Sequence, residues 1–112
     1  MSAEKMSPAD EVVVVATIIP KPERRDDVRA ALIHAVGRTH AEDAGCLLYA
    51  LHESDRGFCM IERWASADAL RVHGAGAAIA ELGPTLSDGL ASAPDLQVYQ
   101  AVPAGTEEQG RL

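Results

Sequence analysis

FCMIERWASADALRVHG, Phe58 to Gly74, changes its hydrophobic period midway, and that change decides the fold. Up to Ala65 the period is two. Phe58, Met60, Glu62 and Trp64 share one face of a strand, and Cys59, Ile61, Arg63 and Ala65 share the other. From Ser66 the period is helical. Ser66 suits an N-cap and Asp68 the positive first turn, and Leu70, His73, Gly74 and Ala77 fall on one face. A carboxylate, the only tryptophan and an imidazole thus lie within twelve residues of an apolar strand–helix junction.

Upstream, Cys46 to Glu53 and Gly57 to Ala65 read as a hairpin around ESDRG. A type I turn over Asp55 and Arg56 with Gly57 left-handed pairs Ala50 with Glu62 and is the expected register. A two-residue loop shifts the pairing by one and sets Tyr49 opposite Glu62. Further back, Glu11 to Pro20 is dominated by β-branched residues and apolar on both faces, as in a strand buried on both sides. Between them, Pro22 to Glu42 reads as a helix, with proline in its first turn and an apolar stripe of Val28, Leu32, Ala35, Val36 and Thr39.

Downstream, GAGAA, Gly74 to Ala78, predicts a break in the second helical region. Helix then resumes through Ile79, Leu82, Leu86 and Leu90, with an interruption expected near Gly83 and Pro84. Leu96 to Val102 reads as a last strand. Residues 1–10 and 103–112 read as flexible tails around a domain at 11–102.

The order β-α-β-β-α-β is the ferredoxin-like pattern, an α+β fold with a four-stranded antiparallel sheet and its helices on one face. The first strand is apolar on both faces, so the uncovered sheet face also needs burial. A second copy is the simplest cover, which predicts a homodimer with sheets face to face.

Composition bounds the function. The 112 residues, 47% of them hydrophobic, suit one globular domain. A net charge of −7 argues against nucleic acid or an anionic membrane as partner. The longest apolar run, Val12 to Ile19, is too short to cross a bilayer, and the N-terminus lacks a secretory apolar core. Two cysteines, Cys46 and Cys59, read as free thiols of a cytoplasmic protein. His34, His40 and His52 show no metal-ligand spacing, so no metal is expected. No phosphate loop, dinucleotide fingerprint or nucleophile elbow is present.

A buried carboxylate must be paired, hydrogen-bonded or protonated. Glu62 therefore reads either as a structural partner or as an acid–base group, and His73 either as a satisfied core histidine or as a pocket base. Trp64 is tied to Glu62 by alternation. His73 joins them only if their strand face looks toward the helices, and the sequence leaves that open.

Taken together, AEDAGCLLY (Ala41 to Tyr49) and IERWASADALRVH (Ile61 to His73) resemble the antibiotic biosynthesis monooxygenase domain family over about residues 11–102. The family pattern of an acid, Gly-Cys, Tyr, Glu-x-Trp and a helical His is met here by Glu42, Gly45-Cys46, Tyr49, Glu62, Trp64 and His73. The resemblance implies a dimeric α+β barrel and, for some members, oxidation of phenols, anthrones or quinols by O2 without metal or flavin. It implies His73 and Glu62 as catalytic residues, Trp64 and Tyr49 as contacts to a small aromatic or hydrophobic molecule, and no cofactor.

Two departures stand out. Asp43-Ala44-Gly45 replaces the family's Pro-Gly pair, and GAGAAIAEL lacks the second histidine that often follows. The chain also has no asparagine, which separates it from haem-degrading relatives of the fold. The alternative reading is a non-oxygenase dimer that binds a hydrophobic ligand or serves a structural role.

Overall fold

Val12–Ile18 form the first strand, β1, in a computed structural model that describes residues 10–112. A short 3-10 turn at Pro22–Arg24 leads into α1, Arg25–Glu42. The hairpin follows as β2, Cys46–Ser54, and β3, Gly57–Trp64. Two helices come next, α2 at Ala67–Gly74 and α3 at Ala77–Gly89, and then β4 at Asp95–Tyr99. A single turn of helix, α4, spans Glu107–Gly110.

The sheet order is β2-β3-β1-β4, antiparallel throughout, which is the ferredoxin-like arrangement read from the sequence. β1 is central, as its two apolar faces require. Its Val12, Val14, Ala16 and Ile18 are buried under the helices, while Val13, Val15 and Thr17 are half-buried on the open face. The core forms where that covered face meets Val28, Leu32 and Ala35 of α1 and Leu82 of α3. Each large side chain buried there contributes about 1.5–3 kcal/mol of transfer free energy.

The predicted stripe on α1 is observed: Val28, Leu32, Ala35 and Thr39 are buried. Ser66 caps α2 as expected, its hydroxyl accepting from the Ala69 amide at 3.1 Å. The helical region also breaks where the glycines predict, between Gly74 and Ala77.

Several expectations are corrected. The hairpin adopts the two-residue loop, so Tyr49 rather than Ala50 lies opposite Glu62. That register turns the bulky phenol inward, where it is buried, and leaves the small Ala50 on the open face. Gly57 has φ of +152°, and a Cβ there would lie 2.5 Å from the Ile18 carbonyl oxygen, so only glycine fits this corner. α3 runs through Pro84 without interruption. Pro84 and Ala80, whose carbonyl loses its intrahelical donor, are both exposed, so water can satisfy that carbonyl.

The last strand stops at Tyr99 rather than Val102. Within the segment read as a C-terminal tail, the Arg63 guanidinium donates to the Leu112 carbonyl, and Arg111 pairs with Glu11. Apart from Asp10, the predicted N-terminal tail lies outside the described residues.

Candidate functional site

The observed register sets Tyr49 and Glu62 side by side on the covered face of the sheet. α2 starts at its Ser66 cap and reaches His73 two turns later, on the face that meets the sheet. Both Glu62 and His73 are 4% exposed, and Tyr49 is 5% exposed. The rings of Tyr49 and His73 meet edge to face at 5.1 Å between centroids. Trp64 lies 4.4 Å from the His73 ring at a tilt of 33°. The side of the sheet left open by the sequence is therefore settled: Glu62 and Trp64 face the helices.

Tyr49, Glu62 and His73 line a cavity of about 430 Å³ between the sheet and α2–α3. The rest of its wall is almost wholly apolar, built from side chains such as Met60, Leu70, Ile79, Leu82 and Leu86. Pro94, Leu96 and Val98 form the side along β4. Leu96 and Val98 are 62% and 49% exposed, because no helix covers that edge, and there the cavity opens. An apolar chamber with a few convergent polar groups is the usual form of a small-molecule site.

Trp64 is placed differently from the other three predicted residues. It is wholly buried behind the chamber and is not among the lining side chains. Its indole Nε1–H donates to Glu62 Oε1 at 2.9 Å. Burial raises the affinity of Glu62 for its proton, while the indole bond and the nearby His73 oppose that only in part. Burial and the neighbouring Glu62 likewise push the Tyr49 phenol above its ordinary range, so it remains a hydrogen-bond donor. Cys46 is also raised, by burial and then by Asp43 and Glu62, so it is a thiol and not an activated nucleophile.

One member of the cluster escaped the sequence reading. Asp43, the residue after the end of α1, holds His73: its Oδ2 lies 2.6 Å from Nδ1. Glu42, taken as the acid of the family pattern, instead pairs with Arg38 on the surface, at 2.8 Å. The signal was the spacing to Gly45: Asp43 lies just beyond the end of the helix, where a side chain can turn inward, whereas Glu42 is still on the helix and four residues from Arg38.

A larger, open groove of about 760 Å³ runs between α1 and the outer edge of β2. Its polar groups are already engaged, Arg29 with Glu53 and His40 with the Tyr49 carbonyl, so it offers no convergent acid–base set. Among the described residues no three His, Cys, Asp or Glu side chains group as metal ligands. No helix among them is long and apolar enough to cross a membrane.

The fold is shared with known structures. A protein from Caulobacter crescentus that is named for the antibiotic biosynthesis monooxygenases matches with a TM-score of 0.81 and 26% identity, over 92% of this chain and 100% of its own. Rv0793 from Mycobacterium tuberculosis matches with a TM-score of 0.79 and 25% identity, over 87% and 100%. SO0527 from Shewanella oneidensis shares the fold at a TM-score of 0.77 and 24% identity, over 86% and 95%. No curated protein matches the chain. The sequence model of one family, described as antibiotic biosynthesis monooxygenase, covers residues 11–82. That match spans more than half of the chain and includes Tyr49, Glu62, Trp64 and His73, so this protein belongs to the antibiotic biosynthesis monooxygenase family.

Proposed function

We propose that this protein is a cofactor-independent monooxygenase that oxidises a small phenolic, anthrone-like or quinol substrate with O2. The observation that carries the reading is the buried apolar chamber with Tyr49, Glu62 and His73 in its wall. An electron-rich ring that has lost a proton can itself reduce O2, so the protein must bind it, accept the proton and exclude water. In the anthrone case a ring CH2 becomes a carbonyl. The substrate gives up four electrons. One oxygen atom enters the product, and the other leaves as water with the two hydrogens lost.

His73 is the proton acceptor in this scheme. Glu62, whose carboxyl burial favours the protonated form, and the Tyr49 hydroxyl donate hydrogen bonds to the substrate oxygen. Trp64 acts through Glu62, because its N–H is engaged there and its ring is shielded from the chamber. Oxygen uptake by metal-free protein supplied with anthrone and a set of hydroquinones tests the reading. Uptake above the buffer rate, falling at least ~100-fold in His73→Ala, is expected. No uptake with any of them overturns it. Ligand-induced stabilisation without uptake would favour the alternative, a protein that binds hydrophobic molecules without oxidising them.

We infer as well that the protein acts as a homodimer. The support is the open sheet face, where Val13, Val15, Ile61, Leu48 and Ala50 are half-buried with no helix above them.

A further inference from the structure

His73, the proton acceptor of the proposed reaction, is paired with Asp43, which has no part in that scheme. The side chains are 5% and 15% exposed, and Nδ1 lies 2.6 Å from Oδ2. An ionised carboxylate accepts hydrogen bonds and donates none. The proton of a neutral His73 ring must then sit on Nδ1, which leaves Nε2 with a bare lone pair. Asp43 is the hydrogen-bond partner of the ring among the described residues. The other groups that face the ring are Tyr49 from β2 and Glu62 and Trp64 from β3; Trp64 packs on the ring, and a charge on the ring would lower the affinity of Glu62 for its proton.

The backbone is built for this contact. A Cβ on Gly45 would lie 2.4 Å from the Ala69 Cβ, so the bare glycine lets α2 close onto the start of β2. Asp43 precedes Gly45 by two residues, and His73 follows Ala69 by one helical turn on the same face. The Gly45–Ala69 contact and the Asp43–His73 bond are thus two points of one seam.

We propose that Asp43 is a positioning residue: it fixes His73 in the Nδ1–H form and so makes Nε2 the proton acceptor of the chamber. The catalytic meaning of that acceptor rests on the oxygenase reading, but its tautomer can be measured without substrate. Long-range ¹H–¹⁵N spectra of the full-length protein report which ring nitrogens carry protons, with His73 assigned by its loss in His73→Gln. In alkaline buffer, His73 is expected to be protonated at Nδ1 and bare at Nε2. In Asp43→Asn, whose amide can turn its NH2 toward the ring, the proton is expected to move to Nε2.

An Nε2–H tautomer in the parent overturns the proposal, as does a folded Asp43→Asn with an unchanged tautomer. Should that variant not fold, the parent spectrum decides by itself. An Nδ1–H parent that consumes no O2 would support the positioning role while sinking the oxygenase reading, so the two failures are distinguishable.

Discussion

Glu62 and Trp64 are joined by one buried hydrogen bond, and only Glu62 reaches the chamber wall. The indole N–H answers one carboxyl oxygen of Glu62, and burial holds the carboxyl proton more tightly than in the unfolded chain. Between the unfolded and folded titration midpoints the folded state binds more protons. Stability from this group is therefore full in acid, below the unfolded midpoint, and is lost as pH rises through the raised folded value. Glu62→Gln keeps the acceptor for Trp64 but removes the titration. It should raise the melting temperature near neutral pH by a few degrees, flatten the pH dependence of melting and lower turnover, as thermal melts and O2 uptake would show. Trp64→Phe should cost about 2 kcal/mol in urea unfolding, because it strands a buried carboxyl. A loss within about 0.5 kcal/mol would mean that Glu62 does not depend on the indole. Alternation along the strand made this pairing legible in the sequence. The shielding of Trp64 from the chamber was not, since it depends on what α2 lays over the ring.

At the scale of elements, close backbone approaches set the site. Gly45→Ala brings two Cβ atoms to 2.4 Å unless α2 moves away. The expected cost is about 1–3 kcal/mol, together with a shift of the His73 ring signals as Asp43 loses contact. Unchanged stability and spectra would show that the seam is looser than its geometry implies. Pro84 is a different case. It lies on the exposed side of α3, where its missing N–H leaves only a solvated carbonyl unpaired. Pro84→Ala should therefore stabilise the protein, by about 2 kcal/mol once the lost restriction of the unfolded chain is set against the helix propensity, without touching the chamber. The sequence marked Pro84 as a break because local propensity counts against it. Packing of Leu82 and Leu86 on the core carries the helix past it. The hairpin register misled for a related reason: turn preference favoured one pairing, while burial of Tyr49 favoured the other.

For the molecule as a whole, the helices shield one sheet face and leave the other half-buried by its own side chains alone. Val15 lies at the middle of that face, paired with Ile61 on one side and Gln97 on the other. Light scattering at micromolar concentration should give the mass of a dimer, and Val15→Asp should give a monomer. A monomeric parent would remove the dimer from the proposal. The chamber opens along β4 on the opposite, helix-covered side, beside Leu96 and Val98, so a face-to-face dimer leaves its mouth free.

The sequence by itself determined the order of elements from β1 to β4, the ferredoxin-like sheet, the break after Gly74 and the shared face of Glu62 and Trp64. Each follows from periodicity, capping or glycine content within a few residues of chain. The tertiary structure decided which way that face looks, that Tyr49 joins it, that Trp64 stands behind the chamber, and that Asp43 rather than Glu42 reaches His73. These depend on the register of a hairpin and on how closely α2 approaches β2. Both are fixed by burial summed over the whole core, which no local stretch of sequence contains.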